Sequence, residues 1–444
     1  MKVFLAVFIC KVLYFAGSRV GRGSSLPGKI VLKLFPDVLQ RLKLPETIIA
    51  VTGSNGKTTT SELIVHVLKA GGKTVGWNHE GSNQTEGVAT LLLRVSSFSG
   101  RVQCDAIVME CDERYAKMIF AKVKPSVLLV TNLCRDQLTR NGHPEFIQDC
   151  IRESIEAAAN NPTDRELRLV LNTDDPYVAA LTQGPPVLCF GINPESIENA
   201  HVGVYDDGAF CPVCKERMTY DYRIAGHYGS YDCVSCGFKR TDPEVEAAVE
   251  RSGLLVFGGD AKMSVRLPSI TGAYNFCAAV AAVKAAGVSV SDSAEALDGY
   301  ELTSGRVSAL PTGGSGDLLL LSKHENSFAY DCSLSWIVEQ KKPCTVIVLV
   351  DSISRKYYTS ETSWFWDIDF DLLADENVKE VILAGRYVNE LAARFSMSAV
   401  DQAKIGYVTN PEELGPYLDR AGKGDIYAVT CFSDRAKLMK ALEA

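Results

Sequence analysis

Residues 48 to 70 read IIAV, then TGSNGKTTT, then SELIVHVLKA. A short apolar run, a glycine loop and a segment with Leu63, Ile64, Val67 and Leu68 at helical spacing specify strand, loop and helix in that order. Glycines let the loop N–H groups face an anion, and the start of the helix adds its partial positive charge. Gly53, Ser54, Asn55 and Gly56 would form the cradle, with Lys57 reaching the β- and γ-phosphates. The hydroxyl of Thr58 or Thr59 would hold Mg²⁺. The common phosphate loop has a glycine at position 51, where this chain has Val51. Further short apolar runs follow at AIVME, SVLLVTN and LRLVLN, with helical text between them. Strands alternating with helices predict an α/β fold with a mostly parallel sheet covered on both faces.

The chain has 444 residues, enough for more than one core. Its formal net charge of −8 argues against a nonspecific nucleic-acid binder, which needs a basic face. Most of the 14 cysteines sit singly in apolar runs, such as Cys189 in VLCF and Cys277 in YNFCAAV. Scattered thiols of that kind suggest a reducing, cytoplasmic setting rather than a disulfide framework. The N-terminus, MKVFLAVFICKVLYFAG, imitates a signal peptide, but Lys11 interrupts the apolar run after eight residues. That is too short to span a bilayer, and the expectation is a helix packed on the body.

Four cysteines stand apart. CPVC at 211 to 214 and CVSC at 233 to 236 are separated by eighteen residues, the spacing of a zinc ribbon. Cys211, Cys214, Cys233 and Cys236 would fill a tetrahedral site and leave no position open for water, so the Zn²⁺ is expected to be structural. The surrounding polar, aromatic stretch, about 200–243, could hardly bury a core unaided. It reads as an insertion. Residues 1–45 form a helical lead-in, 46–300 the main α/β unit, and 301–444 a smaller one with strands at TVIVLVD and EVILAG.

The loop TGSNGKTT resembles the ATP loop of the Mur ligases, and further motifs follow in order. WNHEGSNQTEGVAT resembles the family's Asn-x-x-Gly-x-Asn segment. VMECDE ends a strand with Glu110, where the family places a Mg²⁺-binding glutamate. TNLCRDQLTRNG, LNTDDP and ITGAYNFCAAVAA resemble three more segments, the last carrying Asn275 where the family has an asparagine near adenine. The inserted ribbon and short final unit are similar to the MurT branch of that family. So are SLPGKIVLKLFPDVLQRL, RDQLTRNG and SWFWDIDFD.

That resemblance implies ATP-dependent amidation of the D-glutamate α-carboxylate of lipid II, through an acyl phosphate, at the membrane surface. It implies a heterodimer with a GatD-like glutamine amidotransferase subunit that supplies ammonia. It gives Lys57 and Glu110 catalytic roles, with Mg²⁺ held by Thr58 and Glu110. The branch lends an acidic residue to its partner's Cys–His pair from an Asp-Thr-Ser-Trp run. Here that run reads Glu361-Thr362-Ser363-Trp364, so Glu361 is the expected residue, with Asp367 and Asp369 next. Gln137 stands where ordinary Mur ligases have a metal-binding histidine. Lys323 lies in SKHENS, where the branch has Lys-Asn-Pro. The competing readings are a free-standing amino-acid ligase and a non-catalytic ATP-binding scaffold.

Overall fold

The computed structural model describes residues 1–444 except 20–22, 80–81, 197–202, 225, 251–253, 258–260, 265–269, 303–305, 354–360, 419–423 and 444. Gly81 of the asparagine-rich segment and the start of the cysteine insertion lie outside the described residues.

Two helices lead in, α1 (Lys2–Ser18) and α2 (Leu26–Leu34). The chain then builds β1 (Thr47–Thr52), α3 (Lys57–Ala70), β2 (Val75–Trp77), α4 (Thr85–Arg94) and β3 (Ala106–Glu110). Next come β4 (Val127–Val130), β5 (Arg168–Asn172) and β6 (Val187–Ile192). A separate antiparallel hairpin, β7 (Thr219–Ile224) and β8 (Tyr228–Asp232), belongs to the cysteine insertion. The chain rejoins the sheet with β9 (Val245–Val249), β10 (Leu254–Phe257) and β11 (Ala261–Ser264).

The strand order is β11-β10-β9-β6-β5-β4-β1-β3-β2. Every pairing is parallel except the two made by β10. The pleat sends alternate side chains to opposite faces. Ile49 and Val51 of β1 join a core with α3 and the alanine-rich helix Ile270–Ala285, while Ile48 and Ala50 join one with α1, α2 and α4. Both faces of β1 are buried, which explains why it reads as an unbroken apolar run.

The C-terminal unit has β12 (Val307–Ala309), β13 (Leu318–Ser322), β14 (Cys344–Leu349), β15 (Val378–Ala384), β16 (Ile405–Val408) and β17 (Asp425–Cys431). Its order is β12-β13-β17-β14-β15-β16, parallel apart from β12. Among the described residues, no helix is long and apolar enough to cross a membrane.

Register brings the chemistry together. Val51 pairs with Glu110, and Thr52 with Val130. The C-terminal ends of β1, β3 and β4 are therefore neighbours, the edge where parallel sheets bind ligands. The end of β13 delivers Lys323 to Asn326 against the same edge.

Candidate active site

Gly53 and Gly56 have φ of 122° and 83°, values that favour glycine. Space adds a second constraint: a Cβ on Gly56 would lie 2.0 Å from Asn275 Oδ1, and one on Gly53 would lie 2.3 Å from Thr131 Oγ1. Thr131 and Asn132, just past β4, hold the loop. The N–H of Asn55 donates to Asn132 Oδ1 at 2.8 Å, the N–H of Ser54 to the Asn132 carbonyl at 2.8 Å, and Thr131 Oγ1 to the Asn55 carbonyl at 2.7 Å.

Lys57 begins α3, and its Nζ donates to the Gly53 carbonyl and to Glu113 Oε1, the latter at 2.5 Å. The two side chains are 6% and 4% exposed. Burial favours a neutral lysine, but the carboxylates of Glu113, Glu110 and Asp136 together outweigh it and hold Lys57 protonated. Burial raises the Glu113 carboxyl, and Lys57 opposes that shift.

Thr58 Oγ1 donates to Glu110 Oε2 at 2.8 Å. Asn83 Nδ2 donates to the other carboxylate oxygen at 3.4 Å, and Asn78 bonds the Glu110 backbone N–H and carbonyl, each at 2.9 Å. Thr58 thus faces the acid, while Thr59 is buried elsewhere on α3. A hydroxyl and a fixed carboxylate side by side are hard oxygen donors of the kind Mg²⁺ takes.

The C-terminal unit closes the site. Lys323 Nζ donates to the Ser54 carbonyl at 2.8 Å and to Asp136 Oδ2 at 3.2 Å. Asn326 Nδ2 donates to Asn55 Oδ1 and Asp136 Oδ1, both at 2.8 Å. Burial lowers the Lys323 ammonium pKa, and Asp136 opposes that shift. Arg135 bonds Asp207 of the insertion at 2.7 Å and Asp367 of the C-terminal unit at 2.9 Å. Asn275, Gly56, Tyr274, Arg306 and Phe328 line a cavity of about 50 Å³ beside the loop. Small-molecule sites usually measure roughly 300–1,000 Å³, so the cavity is narrow in this conformation, with Arg306 and Phe328 of the C-terminal unit forming part of its wall. Gln137 has a left-handed backbone (φ 52°), its N–H bonds the Glu325 carbonyl at 2.8 Å, and its side-chain oxygen accepts from Arg140 at 3.0 Å.

The four insertion thiols converge, with all Sγ atoms within 4.8 Å of one another. Each pair sits on a matching turn: Lys215 N–H bonds the Cys211 carbonyl, and Gly237 N–H the Cys233 carbonyl. Lys215 and Gly237 both have positive φ. The Cys211–Cys236 and Cys214–Cys233 Sγ distances are 3.6 and 3.4 Å. Zn–S bonds of about 2.3 Å in a tetrahedron place sulfurs roughly 3.8 Å apart, so the set fits after a small expansion. The insertion is anchored on the buried LNTDDP turn. His227 Nε2 meets Asp175 Oδ2 at 2.9 Å, Arg240 bonds Asp174 Oδ1 at 2.7 Å, and Tyr231 donates to the Thr173 carbonyl at 3.0 Å. Asp175 also accepts from the Leu133 N–H at 2.7 Å, one residue past the loop's buttress.

Glu361 Oε1 accepts from the Ser363 N–H at 2.7 Å, and hydrogen bonds from the Ser363 hydroxyl and N–H lower its pKa, while its charge helps raise the Glu325 carboxyl. Asp367 is engaged by Arg135, and Asp369 accepts from the Asp371 N–H at 3.1 Å. The structure therefore gathers Gly53 to Thr58, Glu110 and Asn275, and sets Glu361 on the C-terminal unit, bonded to Ser363. Glu113, Arg306 and Asn326 went unnoticed in the sequence. Only Glu113 carried a signal there, as the third acid in MECDE.

A phosphate loop on a parallel sheet, a strand-end glutamate beside its threonine and a second α/β unit closing over them define a Mur ligase. Residues 51–234 match the family model for the Mur ligase middle domain, and residues 323–433 that for the MurT ligase C-terminal region. The lipid II isoglutaminyl synthase (glutamine-hydrolyzing) subunit MurT of Streptococcus pneumoniae is 30% identical over 424 residues, covering 93% of this chain and 91% of its own. The same subunit of Staphylococcus aureus is 28% identical, covering 90% and 89%. This chain belongs to the MurT family. Among solved structures, a pseudomurein peptide ligase type C from Methanothermus fervidus aligns with TM-score 0.70 at 20% identity, covering 94% of this chain and 84% of its own. MurF from Acinetobacter baumannii aligns with TM-score 0.65 at 15% identity, covering 94% and 81%. These two likenesses show the fold.

Proposed function

We propose that this chain is the synthetase subunit of a two-component ligase that amidates the D-glutamate α-carboxylate of lipid II. The observation that carries this reading is the intact phosphate loop, with Lys57 and the Thr58–Glu110 pair, joined to a MurT-type C-terminal unit. The chain works as a heterodimer with a GatD-like glutamine amidotransferase, in the cytoplasm at the inner face of the membrane. The domain limits given above, 1–45, 46–300 and 301–444, belong to the same proposal.

A carboxylate resists attack by ammonia. Transfer of the γ-phosphoryl group of ATP to a carboxylate oxygen releases ADP and makes an acyl phosphate. Ammonia then adds to the carbonyl carbon, loses a proton, and phosphate leaves. The loop N–H groups and Lys57 bind the phosphates and stabilise charge on the transferring group. Thr58 and Glu110 would hold Mg²⁺, which neutralises phosphate charge when bound. Asn275, whose Oδ1 lies beside Gly56 and Thr60, is the residue proposed to meet the adenine base. The Cys quartet would hold Zn²⁺ and stiffen the insertion, away from the reaction. Ammonia generation belongs to the partner. Burial pushes the Cys431 thiol, beside Ser433 and Asp434, up to about 12, the reverse of what a nucleophile needs.

The test is reconstitution with the amidotransferase subunit, glutamine, ATP, Mg²⁺ and lipid II. Amidated lipid II is the expected product. Amino-acid-stimulated ATP turnover without the partner would instead support the free-standing ligase.

Glu361 is proposed to cross the subunit interface and orient the partner's catalytic histidine, as the acid of a triad does. Among the described residues Glu361 bonds Ser363, two positions on, whereas Asp367 faces Arg135. Glu361→Gln is expected to cut glutamine hydrolysis by at least about tenfold, up to the ~10⁴-fold seen when a triad acid becomes an amide. Amidation with added ammonia should persist. Loss of both activities would place Glu361 in the synthetase site, and loss of neither would move the role to Asp367 or Asp369.

A further inference from the structure

We propose that α1, with the adjoining exposed residues of α2 and the Phe98 loop, is a docking face for an anionic lipid surface. A helix on a protein surface normally turns apolar residues inward and polar ones outward. Helix α1 does not. Ala6, Val7 and Cys10 are fully buried against the body. On the outward side Phe4, Phe8, Val12 and Phe15 are 53%, 48%, 50% and 60% exposed. Those positions recur every three or four residues, so they form one stripe along the helix. Leu34 of α2 and Phe98, which packs on Phe4 at 5.2 Å, add exposed apolar surface. A contiguous patch of this kind marks an interaction site rather than ordinary surface.

Charge selects the occupant. The chain carries a net −8, yet its first 36 residues hold six Lys or Arg and no Asp or Glu. Lys2, Arg19, Lys29 and Lys33 are exposed, and Lys11 reaches over the Phe98 ring. Exposed aromatic and aliphatic side chains rimmed by basic ones suit a leaflet of anionic headgroups, with the stripe entering the acyl boundary. Here the protein body replaces the polar face that a free interfacial helix would have.

The face also leads to the site. Tyr14 of α1 accepts from Arg94 of α4, and Ser25 donates to Ser82 at 3.0 Å. Ser82 accepts from Asn78, which holds Glu110. A membrane held by α1 would therefore lie beside the loop that positions the proposed Mg²⁺ ligand. The docking face does not depend on which carboxylate is amidated, and its test needs no turnover.

The full chain is mixed with vesicles of equal parts phosphatidylglycerol and phosphatidylcholine, and with pure phosphatidylcholine vesicles, and sedimented. Binding to the anionic vesicles is expected, and it should fall at least about tenfold on pure phosphatidylcholine or in high salt, because the basic rim is screened. Phe8→Glu/Phe15→Glu should lose vesicle binding at least about tenfold, while its melting curve and ATP affinity match the parent. Vesicle binding unchanged in the double variant would overturn the proposal. So would absence of binding by the parent chain. A parent dimer that the double variant makes monomeric, or loss of amidotransferase binding in that variant, would assign the face to a protein partner instead.

Discussion

Lys57→Ala is expected to lower amidation by roughly 10²–10³-fold, or about 3–4 kcal/mol, the usual effect of losing one donor to developing charge. The structure adds a second consequence. Lys57 is the buried partner of Glu113, and removing one member of such a pair commonly costs about 3–5 kcal/mol. The variant should therefore also melt earlier. Glu113 would then be a buried carboxyl with its pKa raised, since burial is the leading influence and Lys57 no longer opposes it. A raised carboxylate pKa destabilises the fold above the unfolded-state value and not below it. The deficit should be full at neutral pH and shrink as the pH falls through the raised value. Lys57→Met/Glu113→Gln separates the two effects: stability should return while activity stays lost. Thermal melts from neutral to acidic pH, beside single-turnover assays, read both. A double variant with near-parental turnover would remove Lys57 from the phosphate site.

Removal of metal is expected to have the largest effect on stability. Four-thiolate zinc sites contribute on the order of 10 kcal/mol of folding free energy to small modules. The hairpin β7–β8 adds little core of its own beyond Met218, Tyr231 and its cysteines. Chelation, or Cys214→Ser, should unfold the insertion as a separate early transition. Elemental analysis should find one zinc per chain. ATP affinity should weaken only after that transition, through Asp175. That carboxylate bonds both His227 and the Leu133 N–H beside the loop's buttress. A purified chain with no metal and an unchanged melt would contradict the structural role.

What the sequence disclosed follows from distance along the chain. The phosphate loop, its strand and its helix are contiguous, so period and glycine placement predict them. The cysteine pairs announce themselves by spacing. Both α/β units were legible from alternating strands and helices. The contacts that close the site were not. Lys323 and Asn326 meet Ser54 and Asn55 across some 270 positions, and no local pattern encodes that approach. Lys323 stood out only as a departure from the Lys-Asn-Pro pattern. TNLCRDQL read as a family segment, but its work of holding the loop from Thr131 and Asn132 needs the β1–β4 register. The lead-in was expected to be a helix on the body. Its second, outward apolar stripe became visible only once the buried side was known.

The central claim is that this chain activates a carboxylate by phosphorylating it. The most direct measurement uses lipid II whose D-glutamate α-carboxylate carries heavy oxygen, incubated with the complex, Mg²⁺-ATP and ammonia. If an acyl phosphate forms, one labelled oxygen must leave with the phosphate as ammonia displaces it. The account predicts one labelled oxygen in inorganic phosphate per amide formed, and loss of both in Lys57→Ala. Amide formation with unlabelled phosphate would contradict it.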